Sequence, residues 1–199
     1  MHPGAEVTAL WRQPNEHFDL FVTGTDGAVW SLWWDADWRP EGWILLHPEI
    51  KMFPGATVTA VWATDQGQHL DLFVTGTDGA VWTIWWDNIV GWRPEGWILI
   101  HPEIKMKPSA TVTAVWTASG EHLDLFATDS LGVVWSTWND ADGWRPDGWF
   151  LIGDSFTIGR GKTVTALWSP DPSITHLDLY SIGAQGQVVG AFWEPVLGW

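Results

Sequence analysis

Three stretches of the 199-residue chain bring together side chains able to hold a ligand. Trp34, Trp38, Arg39 and Glu41 form the first, Trp86, Trp92, Arg93 and Glu95 the second, and Trp144, Arg145 and Asp147 the third. An indole offers a flat apolar face, and a guanidinium is a rigid fork of donors that pairs with neighbouring oxygens or stacks. Together with a carboxylate they suit a ligand that has both an apolar face and hydroxyl groups. The plainer alternative is that each arginine pairs with the acid beside it while the tryptophans pack element on element, and for any single tryptophan packing outweighs ligand contact. As sets carried on loops, the three stretches read as binding sites.

A second recurring pattern is His-x-Asp, at His17 and Asp19, His69 and Asp71, His122 and Asp124, and His176 and Asp178. On a strand, alternation puts both side chains on one face, the arrangement of a metal ligand pair or of a base with its orienting acid. A metal site needs ligands converging from several elements, so a structural hydrogen bond to a neighbouring strand or blade is the expectation, with no metal and no cofactor. Catalysis is not expected either. Glycoside hydrolysis uses two carboxylates in different environments within one unique cleft, whereas every carboxylate pattern here is multiplied. No Ser-His-Asp order, phosphate loop or HExxH is present.

The elements that carry these residues are repeats. Val7-Thr8-Ala9-Leu10-Trp11 returns at Val58–Trp62, Val112–Trp116 and Val164–Trp168, spacings of 51, 54 and 52 residues. Asp19–Trp30 is repeated without change at Asp71–Trp82, and the 20 tryptophans fall in groups along the same period. Each unit reads as four short strands, rich in β-branched and aromatic residues and separated by turn chemistry. Asp26-Gly27 and Asp78-Gly79 predict type I′ hairpins, and Arg39-Pro40-Glu41-Gly42 an exposed loop between the third and fourth strands. The expected fold is all-β, a single-domain β-propeller of about four blades at residues 6–50, 57–104, 111–153 and 163–199. A β-sandwich is disfavoured by the near-identity of successive units. The last unit lacks its fourth strand, which predicts either a ring closed by a three-stranded blade or association of chains, a homodimer being favoured, to cover open strand edges.

Composition narrows the partners. Nine basic against 24 acidic residues give a net charge of −15, which repels nucleic acid and acidic membranes. There is no cysteine, hence no disulfide framework, thiol nucleophile or zinc-thiolate site. No apolar run approaches the roughly 18 residues of a membrane span, and the start shows no signal-peptide pattern. A soluble chain is expected, cytoplasmic or released by a non-classical route.

The unit His17–Trp38, with its Asp-Gly turn, its Trp-Trp-Asp and the Gly-Trp that follows, resembles the blades of tectonin and PLL-like bacterial lectins. The likeness is strong in the first two copies, good in the third and partial in the fourth. It implies a β-propeller that binds sugars at several equivalent sites. A more distant resemblance is to the Aleuria-type fucose lectins, which place an arginine and a glutamate where this chain has Asp19, Asp71, Asp124 and Asp178, and Ser31, Thr83 and Ser136. Fucose specificity therefore does not carry over by that route. The expected function is non-catalytic, multivalent carbohydrate binding, with glycans as partners. The alternative is a protein-interaction scaffold, disfavoured because a protein partner would require different residues in each blade.

Overall fold

A computed structural model describes residues 1–13, 16–63, 67–153, 156–171 and 175–199. The described chain is all-β, as the alternating apolar pattern predicts, and is arranged as successive antiparallel sheets. The first holds β1 (Thr8–Gln13), β2 (His17–Thr23) and β3 (Val29–Asp35), with β4 (Asp37–Trp38) and β5 (Ile44–Leu46) both paired to β3. The second repeats the plan with β6 (Thr59–Trp62), β7 (His69–Thr75), β8 (Val81–Asp87), β9 (Gly91–Trp92) and β10 (Ile98–Ile100). The third has β11 (Thr113–Trp116), β12 (Leu123–Thr128), β13 (Val134–Asp140), β14 (Gly143–Trp144) and β15 (Phe150–Leu151). The fourth consists of β16 (Thr165–Trp168), β17 (Leu177–Ile182) and β18 (Val188–Trp193). Among the described residues no helix is long and apolar enough to cross a membrane.

The second strand of each sheet sets the packing. In β7, Leu70, Leu72 and Val74 point one way and Asp71 and Phe73 the other, all of them buried. Leu70, Leu72 and Val74 join Phe21, Val29 and Leu46 of the preceding sheet in one apolar core, while Phe73 joins Leu123 and Leu125 of the following sheet in the next. Phe126, Leu177 and Leu179 repeat the arrangement between the third and fourth sheets. Sheets thus stack face to face, each inner one buried on both sides. The threonines that open the first strands stitch neighbours together: Thr8 Oγ1 donates to the carbonyl of Val58, Thr59 to Val112 and Thr113 to Val164. Thr23 Oγ1 adds a bond to the Ala56 carbonyl at 2.9 Å and Thr75 one to Ala110 at 3.1 Å.

Two local readings need correction. The Asp-Gly hairpins are not type I′. Only the glycine has positive φ, +74° at Gly27 and +78° at Gly79. The aspartate keeps an ordinary backbone and turns its carboxylate onto the second following amide, Ala28 N at 3.1 Å and Ala80 N at 3.0 Å. The turn runs from Gly24 to Gly27, closed by Gly27 N to Gly24 O at 3.2 Å and followed by Gly24 N to Ala28 O at 2.8 Å, because a side-chain acceptor at Asp26 makes a left-handed conformation there unnecessary. The segment after the third strand is also not entirely loop. The two residues of β4, β9 or β14 fold back onto β3, β8 or β13, so that Trp34 pairs with Trp38 and Trp86 with Trp92.

Gly79 meets the following linker so closely that a Cβ would lie 2.1 Å from the Met106 carbonyl oxygen, whereas Gly186, at the same turn position of the fourth sheet with φ +84°, has nothing within 4 Å. Gly186→Ala should cost about 1–2 kcal/mol from backbone strain alone. Gly79→Ala should lower the melting temperature by about 5 °C beyond that, since each kcal/mol moves a domain of this size by about 2–4 °C. Thermal denaturation followed by far-UV circular dichroism checks both; equal shifts would show that the close approach to Met106 carries no weight.

Candidate functional site

The arginines of the three tryptophan-arginine-acid stretches turn inward on their own loops. Arg39 Nη1 donates to the Gly42 carbonyl at 3.2 Å, Arg93 Nη1 to Gly96 at 2.7 Å and Arg145 Nη1 to Gly148 at 2.8 Å. Each also pairs at 3.5 Å with the neighbouring acid, Glu41, Glu95 or Asp147, whose side chains are well exposed. Arg39 lies over the ring of Trp33 at 4.8 Å, and Arg145 over Trp138 at 5.2 Å and Phe150 at 5.1 Å. Exposed ion pairs of this kind contribute about 0–1 kcal/mol; their effect is to fix the loop against the indole. The tryptophans go elsewhere. Trp92 stands edge-on to Phe21 of the preceding sheet at 6.0 Å and Trp144 edge-on to Phe73 at 6.3 Å, while Trp86 packs edge-on to Trp62 at 5.8 Å. Trp34 and Trp38 hold the same positions on the outward face of the first sheet, where Trp38 is half exposed.

Trp86, Trp92 and Trp144 thereby become walls of pockets between the sheets. The pocket between the first and second sheets, about 310 Å³, is lined from the first by Arg12, His17, Asp19, Ser31 and Trp33, and from the second by Trp62, Leu70, Trp86, Gly91 and Trp92. Between the second and third sheets His69, Asp71, Thr83, Trp85 and Ile98 face Trp116, Leu123, Asn139 and Trp144 around about 170 Å³. Between the third and fourth, His122, Asp124, Trp138 and Phe150 face Trp168, Leu177, Trp193 and Trp199 around about 190 Å³. The three cavities are copies of one design. Strand parity produces it: in β2 the residues His17, Asp19 and Phe21 share a face, and Asp19 is directly opposite Trp33, as Asp71 is opposite Trp85. The arginine and acid side chains of the loops are not among the lining residues.

Several polar atoms of these walls lack a hydrogen-bond partner among the described residues although buried. In the first pocket they are Asp19 Oδ2, Ser31 Oγ and Trp62 Nε1; in the second, Asp71 Oδ2, Thr83 Oγ1 and Trp116 Nε1. Leaving one such group unsatisfied costs about 1–3 kcal/mol, and the same set recurs in two pockets. In the third pocket the corresponding indole closes on the carboxylate, Trp168 Nε1 donating to Asp124 Oδ2 at 3.0 Å; Ser136 Oγ, the counterpart of Ser31, is unpartnered among the described residues but does not line that pocket.

The His-x-Asp pairs are hydrogen-bonded within their own strand, and Asp124 is bonded in addition to the neighbouring blade through Trp168 Nε1, the kind of contact the sequence suggests. Nε2 and Oδ1 are 3.2 Å apart at His17 and Asp19, at His69 and Asp71, and at His122 and Asp124. Strand alternation suffices, because side chains two apart are neighbours on one face. The bond fixes each carboxylate with its second oxygen toward the pocket, and the rings of His69 and His122 are tilted by 31° to those of Trp85 and Trp138. The bond to the aspartate raises the pKa of each of these histidines above 6.5 against the opposing effect of burial. Among the described residues no group of three or more metal-ligating side chains is present.

The chain matches no protein-family model and no curated protein. Solved structures do resemble it. A lectin from Burkholderia pseudomallei, BP39L, superposes on 100% of this chain with a TM-score of 0.74 at 18% identity. The fold is that of a β-propeller. The lectin of Aleuria aurantia, described as six-bladed and fucose-specific, superposes with a TM-score of 0.69 at 11% identity over the whole chain. The SapL1 lectin, solved with α-methyl fucoside, gives 0.66 at 18% identity over 96%. The chain spans only 55% to 61% of the length of these three proteins, and its sheets are blades of that architecture.

The pocket walls also use Ser31, Trp33, Trp62, Trp85, Thr83 and Trp116, which the sequence pattern does not place in a site. The signal for them was available: a small hydroxyl residue stands opposite a buried phenylalanine in each central hairpin, Ser31 with Phe21, Thr83 with Phe73 and Ser136 with Phe126.

A histidine whose folded pKa is raised stabilises the protein fully below its unfolded pKa of about 6.5 and loses that contribution as pH rises through the folded value. The imidazole resonances of His17, His69 and His122 should titrate with midpoints above 6.5 in an NMR pH series. Asp71→Asn should bring the His69 midpoint down. A His69 midpoint unmoved by that change would remove the pairing as its cause.

Proposed function

We propose that the protein is a non-catalytic carbohydrate-binding propeller whose sites are the pockets between blades, each taking one monosaccharide unit. The observation that carries this reading is the repeated trio of buried, unpartnered polar atoms beneath tryptophan walls: a carboxylate oxygen, a hydroxyl and an indole N–H. A sugar supplies the complement, hydroxyls that both donate and accept together with a C–H face that packs on an indole. Cavities of about 170 to 310 Å³ suit a single ring. The tectonin and PLL-like motif, and neighbours described as lectins, point the same way. Asp19 and Ser31 stand where the fucose lectins' arginine and glutamate are expected, so the contacts differ from theirs. Individual sites of this size bind near millimolar, about −4 kcal/mol; several on one rigid frame raise avidity by about 10²–10⁴ on a dense glycan surface.

Self-association belongs to the same reading. Trp11 and Trp38 on the outward face of the first blade, and Tyr180 and Phe192 on that of the fourth, are each about half exposed, although their repeat equivalents line the contacts between inner blades. A second copy is the surface that matches them, the last blade of one chain meeting the first blade of another.

On a glycan array the protein should bind a defined sugar class, with binding abolished by the free monosaccharide and with a change in tryptophan fluorescence on titration. Asp71→Asn combined with Asp19→Asn should weaken it at least about tenfold. A folded protein silent on the array would favour a protein-interaction scaffold. Light scattering should give a mass that is a multiple of the 22.3 kDa chain; a monomer at high micromolar concentration would dismiss self-association.

A further inference from the structure

The pocket between the first and second blades differs from its copies by an arginine on its wall and in size. Arg12 follows the first strand's tryptophan, where the other repeats have Ala63, Thr117 and Ser169. Its guanidinium lies over the rings of Trp62 and Trp86, 5.8 and 5.6 Å from their centroids, and it is half buried on the pocket wall. A slot is provided for its stem: a Cβ on Gly67 would lie 2.6 Å from Arg12 Cγ. Arg12 makes no ion pair with a carboxylate among the described residues, unlike the three loop arginines. Among the described residues no arginine or lysine lines the pockets between the later blades, and this one is the most capacious of the three interblade cavities.

A guanidinium stacked on two indoles, with no carboxylate of the described residues on its in-plane N–H groups, is arranged to pair with one from a ligand. Asp19, in the same pocket, does not occupy that role, because it is buried and tied to His17. We propose that the pocket between the first two blades takes a carboxylate-bearing sugar unit of the hexuronic-acid class, paired through Arg12, while the other two pockets take neutral units. The inference rests on the carbohydrate-binding reading above and adds an acidic-sugar preference confined to one site per chain. The chain's overall charge of −15 works against an acidic ligand at long range, and a local cation held at the pocket is what offsets it.

The test is calorimetric titration of the intact chain with the methyl glycosides of glucuronic and galacturonic acid, each beside its neutral parent, methyl glucoside or methyl galactoside. At low salt, at least one uronide should bind about tenfold more tightly than its neutral parent, with a stoichiometry of one per chain. The preference should shrink as salt is raised. Arg12→Gln should abolish it, and Arg12→Lys should restore part of it, since the charge remains without the fork. Neutral glycosides binding as well as or better than both uronides, or a uronide preference untouched by Arg12→Gln, would overturn the acidic-site proposal alone. Failure of all four glycosides to bind, with the array also silent, would overturn it together with the function on which it rests.

Discussion

Each inner sheet in this chain has to bury two faces at once, and that constraint organises the rest. A second strand that alternated apolar with polar would leave one face wet. Here it reads Leu-Asp-Leu-Phe, so Leu70 and Leu72 fill the core on one side and Phe73 fills it on the other. The one polar position that the alternation leaves, Asp71, is carried into the same interface and cannot escape to water. A buried carboxylate must be paired or hydrogen-bonded, and His69, two residues earlier on the same face, supplies the partner. The pocket is therefore a by-product of stacking: it lies at the end of each interblade core, where the apolar filling stops at a histidine-held aspartate and a wall of tryptophans.

Much of the fold was legible because repetition amplifies weak signals. Four copies of Val-Thr-Ala-Leu/Val-Trp locate the first strands, and the Asp-Gly of the first two copies locates the central hairpin even though the turn type differs from the one those two residues suggest. The site was harder to read. The eye is drawn to Arg39, Arg93 and Arg145 because arginine beside tryptophan is chemically conspicuous, yet a carbonyl three residues on and an adjacent acid engage each of them. Sequence alone does not say which of two neighbouring tryptophans points across to the next blade. In Trp33-Trp34 the first faces forward with Ser31 and the second backward with Phe18, a distinction of parity that becomes visible only once the strand's register is known. Arg12 was legible in principle, as the residue that breaks the repeat, but its position in space follows from the tertiary slot at Gly67.

Divergence among the repeats has acted on pocket chemistry while sparing the frame. Asn139 replaces tryptophan in the second pocket and Phe150 replaces isoleucine in the third, with Trp168 closed on Asp124. The threonine-to-carbonyl contacts between first strands persist across all three junctions. A scaffold whose blades touch only their neighbours tolerates such drift, because a change in one junction is not transmitted to the next.

That nearest-neighbour character also bears on how the molecule comes apart. With three separate apolar cores joined only through the sheets between them, the chain behaves as a short one-dimensional array, its stability a sum of junction energies. An end blade can open by giving up one junction, while the second and third blades must each give up two, so fraying proceeds inward from both termini. A ligand held across a junction touches both blades and adds its binding energy to that link. Occupancy of such a pocket would then serve as a clasp, making the molecule most cooperative when its pockets are filled.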